Sequence, residues 1–535
     1  MIIEEIKVKN IEEIKQKYNL TSLCAKVLAS KDLSHDQIEE ILSPAQLQDP
    51  FQAKGMKEVI ERIQLAKSRK EKVLVCGDYD ADGICATTIL YDALCKSGVD
   101  CGFYIPNRLK EGYGLHVDTV RLAKEKGYQL LITVDNGVKA FSALEEAQKL
   151  AIDVILSDHH SMDDEPLPCQ FLLHPFHMGE AFQYLCGAGV ALEISRALIG
   201  DCKEHLALAC VATIGDCMPL WKESRSIVRL GMQYLQEGVC QPLQFLREDM
   251  QAKWDEELIA FQIVPKLNAT GRLADIANAN NTVRYLLSNS LQQIQAVSKQ
   301  IKDLNTTRKE MSEEMYTLAK SLVQKEDRFL IVSHEQFHEG LVGLIAGKLF
   351  EDFQQPVMVL TKHGNTYKGS IRSGEFLDLT TFFQDFDGLL AYGGHRCAAG
   401  IGFDMDKFDS LKEYVQNKMQ PISMEYEKKY RVLKVDEKEL SLQEVESLQL
   451  LAPFGQGFEK PLFYVKDCDI QKMNLLKEGK HVKWETMNQM ECLYFHVQEK
   501  YKQWVDKKKL GFIGHVRIHT FRAMKKVNLF VQDIL

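Results

Sequence analysis

Short apolar, β-branched runs alternate with helix-length amphipathic stretches through the first half of the chain. Residues 73–75, 103–105, 130–134, 154–156 and 171–173 read as strands. Residues 117–126 and 140–150 carry helical periodicity between them. This alternation predicts a parallel α/β sheet with helices on both faces. Ahead of it, residues 1 to about 50 read as helical, with Ser34 as a cap and Pro44 as a stop. Residues 56–70 then read as an amphipathic helix leading into the first strand. Residues from about 280 to 325 form a polar, proline-free helical stretch, expected as a solvated spacer between two lobes. Residues 329–332 and 357–360 open a second α/β lobe, which a helix over 405–419 closes. Residues 527–535 alternate as a final strand.

In an open parallel sheet, ligands sit at the carboxyl ends of the strands. The first strand here runs into Asp78-Tyr79-Asp80-Ala81-Asp82-Gly83, the third into Asp135-Asn136-Gly137 and the fourth into Ser157-Asp158-His159-His160. Carboxylates at alternate positions on one loop repel unless a cation lies among them. A solvated acidic turn would tolerate them too, and an EF-hand loop would need a Glu where Ile89 stands. Asp-Asn-Gly alone is a good turn, and Asp-His-His alone could cap a helix. Delivery of all three groups to one sheet edge favours a shared metal site. Carboxylates and imidazole without thiolate suit Mn²⁺ or Mg²⁺ rather than structural Zn²⁺. Asn107-Arg108 and Tyr113 follow another strand end and offer a cation and a ring, which suit phosphate and base. The apolar run 208–214 leads to Asp216, which reads as the capped exit of a core helix or as a further ligand, a role that spacing alone does not show.

The chain has 535 residues, enough for about three or four domains. Its net charge of −9 excludes global attraction to nucleic acid, so any basic surface is local. Residues 471–535 carry such a surface, with 13 Lys or Arg against 6 Asp or Glu. Trp484, Tyr494, Phe495, Tyr501, Trp504 and Phe521 lie in the same stretch, most expected as core and one or two as stacking faces. The 14 cysteines show no C-x-x-C pair and read as reduced thiols, which suits the cytoplasm. No basic, apolar leader opens the sequence, and no apolar run spans a bilayer, so no membrane role is expected.

The triplet Asp158-His159-His160 resembles the signature of the DHH phosphoesterase superfamily. Other stretches resemble its RecJ branch of single-strand-specific exonucleases: Pro106-Asn107-Arg108, Glu111-Gly112-Tyr113-Gly114-Leu115, Cys186-Gly187-Ala188-Gly189, Asn268-Ala269-Thr270-Gly271-Arg272-Leu273 and Gly393-Gly394-His395. The resemblance covers the chain from about residue 50 to its end. It implies five parts: an N-terminal helical segment (1–50), a parallel-sheet DHH catalytic domain (51–280), a connecting helix (281–325), a DHH-associated lobe (326–425) and an OB-like β-barrel (426–535). The family's segment at the barrel usually has Asn where Phe458 stands, and some relatives carry an extra C-terminal domain that is not expected here.

Carried onto this sequence, the resemblance makes Asp80, Asp82, Asp135, His159 and Asp216 the metal ligands, for two ions. Asp78 stands behind them, His160 faces the scissile phosphate and Arg108 touches the backbone near it. Asn107, Tyr113, Arg272, Ser370, Arg372 and His395 are the implied substrate contacts. The implied activity is 5′-to-3′ hydrolysis of single-stranded DNA in repair and recombination, with a helicase and a single-strand-binding protein as candidate partners. The alternatives are a short-RNA or dinucleotide phosphodiesterase of the same superfamily and a catalytically silent nucleic-acid-binding protein.

Overall fold

The protein is described from a computed structural model, which places residues 2–162, 165–324, 326–422, 429–477, 479–521 and 524–535. Two compact units divide the chain: residues 48–216 with 230–426, and residues 1–47 with 217–229 and 427–535.

The larger unit holds two sheets. The first is fully parallel, and across the sheet its strands run Cys101–Tyr104, Lys72–Cys76, Tyr128–Val134, Asp153–Ser157 and Phe171–Leu173. The central strands are buried on both faces, as their continuous apolar runs require. The register pairs Val75 with Ile132 and Ile132 with Ile155, so the exits of the three central strands lie level. The helix Ala81–Ser97 leaves the first of these exits, with Asp80 as its cap.

The second sheet is mixed, with strands in the order Leu389–His395, Ala398–Asp404, Thr366–Arg372, Val357–His363 and Leu330–Ser333. Val357 and Val359 pack with the helix Val342–Phe353, while Met358, Leu360, Tyr367 and Ile371 pack with Phe408–Met419 on the other face. The Gly393-Gly394-His395 segment, whose glycines suggest a turn, is the end of the edge strand. The turn follows it at Arg396-Cys397, because His395 pairs with Ala398. The polar stretch expected as one solvated helix forms two, Ala279–Leu286 and Leu291–Leu322, with Ser290 capping the second. The longer helix buries one stripe, from Ile294 and Ile301 to Met315 and Ala319, so it is a packed element rather than a free spacer.

The smaller unit contains a closed five-stranded barrel. Phe463–Leu476 pairs with both His481–Thr486 and Lys509–Phe521, and Glu491–Tyr494 and Met524–Ile534 complete the ring. Its core includes Trp484, Trp504, Phe458, Phe463 and Phe512. Phe458, where the family usually has Asn, anchors this core: it is fully buried, stacks on Phe454 at 5.5 Å and lies under the Arg225 guanidinium at 5.4 Å. The chain's start, expected to be helical throughout, opens with a strand. Ile2–Glu5 pairs in parallel with residues 429–432, an edge that β-branched residues fill well.

Candidate metal centre and substrate pocket

The three strand exits converge. Ligand atoms of Asp78, Asp80 and Asp135 lie within 4.8 Å of one another, as do those of Asp82, His159 and Asp216, and those of Asp135, His159 and His160. His159 Nε2 is 3.1 Å from Asp135 Oδ1, 3.5 Å from Asp216 Oδ2 and 3.6 Å from Asp82 Oδ2. Burial raises the pKa of Asp78 and Asp135, reinforced by neighbouring aspartates. Asp80 is raised by burial and by Asp82. Asp216 is pushed up to about 8 by burial, Asp82 and Asp80. His159 is held below its ordinary value, mainly by burial.

Asp78 Oδ1, Asp135 Oδ1 and His159 Nε2 are buried without a hydrogen-bond partner. Such atoms cost free energy unless something satisfies them. Oxygen and imidazole donors with no thiolate in any cluster suit a hard divalent cation, so these residues fit Mn²⁺ or Mg²⁺.

The backbone around the site is built to hold it. Asp82 accepts the N–H groups of Gly187 and Ala188, each at 2.7 Å, at the start of the helix Gly187–Ile199. Position 187 must be glycine, because a Cβ would fall 2.4 Å from that of Asp135. Asp135 itself has φ +62°, a conformation unusual for a residue with a side chain. The Tyr113 hydroxyl donates to its carbonyl at 3.0 Å.

Asp158, the first residue of the triplet, is a position to which sequence reasoning gives no role of its own. Its Oδ1 lies 2.8 Å from His160 Nδ1 and accepts the His159 N–H, and its Oδ2 accepts the Val138 N–H. Burial opposes a charge on His160, but the Asp158 hydrogen bond and charge outweigh it and raise the imidazole to about 9. Asp158 is correspondingly lowered, against its own burial, by His160. His174, also missed, supports the same loop by bonding the His160 carbonyl through Nε2 at 2.9 Å.

The implied substrate residues fall into two groups. Arg108 lies over the Tyr79 ring at 5.0 Å, beside the metal loop. Asn107 ties its loop to the segment after the helix Val264–Arg272: its amide donates to the Ala274 carbonyl, and its Oδ1 accepts the N–H groups of Leu109 and Lys110. Tyr113 is 42 % exposed, and its ring meets His160 edge to face at 5.6 Å. Burial, with Arg108, Arg308 and Arg372 nearby, lowers Arg272 to about 10. The second group shares one sheet face. Register places His395, Ala398 and Arg372 in one row and Gly393, Gly400 and Ser370 in the next. Small residues separate the polar ones there; the face is exposed at Gly393, Gly400 and His395, while Ser370 and Arg372 are half-buried beside Gly343 of the helix Val342–Phe353. Arg372 Nη1 donates to Ser370 Oγ at 2.8 Å. His395 is exposed on the edge strand.

The fold and the site define a DHH-type phosphoesterase. The family model for the DHH family N-terminal domain matches residues 72–214, that for the DHHA1 domain matches 326–420 and that for the RecJ OB domain matches 433–533. The single-stranded-DNA-specific exonuclease RecJ of Bacillus subtilis is 30% identical over 99% of this chain and 70% of its own length. The RecJ of Escherichia coli is 30% identical over 77% of this chain and 78% of its own. The chain therefore belongs to the RecJ family. The RecJ–Mn²⁺ structure from Thermus thermophilus shares the fold, with a TM-score of 0.87 at 24% identity over 100% of this chain and 79% of that one. A manganese-bound exonuclease RecJ structure matches 70% of this chain and 98% of its own, with a TM-score of 0.62 at 29% identity. Among the described residues, no helix is long and apolar enough to cross a membrane.

Proposed function

We propose that this chain is a single-stranded-DNA-specific exonuclease that uses Mn²⁺ or Mg²⁺ and removes nucleotides from the 5′ end. The observation that carries this reading is the buried, unsatisfied set of Asp78, Asp135 and His159 atoms within the carboxylate–imidazole cluster, in a chain that also carries a basic barrel. Asp80, Asp82, Asp135, His159 and Asp216 hold two ions. When bound, such ions supply an activated water and stabilise charge on the reacting phosphate. No protein nucleophile is needed. Asp158 keeps His160 protonated and aimed, so that His160 can donate to a phosphate oxygen. Arg108 meets the backbone beside the cleaved bond.

Polarity follows from the arginine pocket. Arg272, with Arg372 and Ser370, makes a cationic stop suited to a terminal 5′ phosphate. The barrel contributes single-strand binding through its excess of lysine and arginine. A helicase and a single-strand-binding protein are the partners such an activity would need in repair and recombination, in the cytoplasm.

The test is incubation of the full chain with Mn²⁺ and a long single-stranded oligonucleotide labelled at either end, with Asp135→Ala as control. Prompt release of mononucleotide from a 5′ label, with gradual shortening of the 3′-labelled strand, supports the reading. Hydrolysis of dinucleotides alone would assign the chain to the short-oligonucleotide phosphodiesterases. Equal behaviour of Asp135→Ala and wild type would leave a binding protein.

A further inference from the structure

One nine-residue helix, Val264–Arg272, connects the metal loop to the second lobe. Its Asn268 Oδ1 accepts the backbone N–H of Ala81 at 2.7 Å. Ala81 opens the helix capped by Asp80. First-turn amides have no partner within their own helix, so this one is held from outside. Three residues beyond Asn268, Gly271 lies against the backbone of Tyr79, where a Cβ would come within 2.3 Å of the carbonyl oxygen. Asp80 thus sits between two backbone groups, the Tyr79 carbonyl and the Ala81 N–H, and one helix fixes both. The next residue is Arg272. Its own carbonyl presses on Gly340 in the second lobe, where a Cβ would fall 1.9 Å away. His338, two residues before Gly340, bonds Asp275 through Nε2 at 3.1 Å and braces the same junction.

We infer that Asn268 is a positioning residue for Asp80, and that its helix couples occupancy of the arginine pocket to the metal loop's hold on its ion. The inference rests on the metal and 5′-end reading above. Asn268 carries no charge, and its Oδ1 is engaged by the Ala81 N–H. Its contribution is to anchor a loop on which three aspartates repel one another. Without the acceptor, the Ala81 N–H loses its partner and the loop is free to spread. A phosphate drawn to Arg272 engages the same helix at its other end. Coupling of that kind is reciprocal, so phosphate and metal each tighten the other by the same factor.

The experiment measures Mn²⁺ binding to the full chain by calorimetry and by electron paramagnetic resonance of free Mn²⁺. It compares wild type, Asn268→Leu and Asn268→Asp, each with and without a deoxynucleoside 5′-monophosphate. Asn268→Leu is expected to bind Mn²⁺ about tenfold more weakly, the scale of one lost hydrogen bond, and to lose the tightening by monophosphate that wild type shows. Asn268→Asp keeps an acceptor oxygen at that atom and should retain most of the affinity and the coupling. A leucine variant with a lower melting temperature but an unchanged Mn²⁺ isotherm and coupling would make Asn268 merely structural and overturn the inference. A wild-type chain that binds no Mn²⁺, or an Asp135→Ala variant that binds it equally well, would instead remove the metal reading itself, and this inference with it.

Discussion

His159 Nε2 and Asp135 Oδ1 face each other at 3.1 Å, both buried and neither in a hydrogen bond. Atoms so placed destabilise the fold until a cation joins them. Asp135→Asn should therefore raise the melting temperature of the chelator-treated protein, by an amount equivalent to about 1–3 kcal/mol of relieved burial cost. The same variant should lose the upward shift that Mn²⁺ gives wild type. Thermal melts with and without Mn²⁺ decide it. A variant that is less stable without metal yet still shifts with Mn²⁺ would contradict this account.

The carboxylate cluster also fixes a pH dependence. Asp216 titrates at about 8 in the folded chain, against roughly 3.9 for an unperturbed aspartate. Between those values the folded state holds more protons than the unfolded state, so stability falls as pH rises. Metal-free protein should be more resistant to urea at pH 5.5 than at pH 8.5, and Asp216→Asn should flatten the difference. A slope identical in wild type and variant would show that the burden lies elsewhere.

His160 is shifted in the same direction, but by a partner rather than by burial. Its imidazole is raised to about 9 because Asp158 outweighs the opposing effect of burial. Removing that partner should lower the value. Asp158→Asn is expected to move the alkaline limb of kcat/KM to lower pH and to cost about 10–100-fold in rate at pH 8, the scale of a lost charge-assisted hydrogen bond. Proton NMR titration of the His160 ring checks the cause directly. An unmoved His160 titration with the same rate loss would assign Asp158 to loop architecture alone.

Arg272 should discriminate between ends. Arg272→Ala is expected to slow processing of 5′-phosphorylated strands by about 10–100-fold, the scale of a charged hydrogen bond to phosphate. Strands with a 5′ hydroxyl should lose far less. An equal loss on both would mean that the guanidinium supports the fold and does not read the phosphate.

Much of this site is legible in the sequence because strand periodicity and the strand-end rule act together. With residues 73–75, 130–134 and 154–156 as parallel strands, the aspartates at 78, 80 and 82 must share an edge with Asp135 and His159. Asp216 is different: it caps a helix, and its approach to Asp82 and His159 depends on helix packing that spacing does not encode. Asp158 escapes because a carboxylate beside two histidines looks like part of the ligand set, whereas its role is to orient one of them. The neighbours of Asn107 suggest a substrate contact; spacing does not show that its side chain also joins its turn to the Ala274 carbonyl. The Gly-Gly-His segment suggests a turn because glycine favours turns. It lies in a strand, where lack of a side chain opens the sheet face between Ser370 and His395.

The barrel aromatics separate into two kinds that composition alone does not distinguish. Trp484 is wholly buried and packs edge to face with Trp504 at 6.1 Å, whereas Phe495 is 43 % exposed and stacks on Phe530 at 5.9 Å. The side chain of Phe521 lies outside the described residues. Trp484→Ala should destabilise the barrel by about 3–5 kcal/mol through the cavity it leaves. Phe495→Ala should leave the melting temperature nearly unchanged and weaken single-strand binding by about 1–3 kcal/mol if a base stacks there. Both variants should keep a steep loss of affinity with salt, since the lysines and arginines that release counterions remain. Fluorescence anisotropy with a labelled oligonucleotide, paired with thermal melts, separates the cases. Loss of binding in Trp484→Ala at unchanged stability, with Phe495→Ala silent, would reverse the assignment and place the stacking face elsewhere on the barrel.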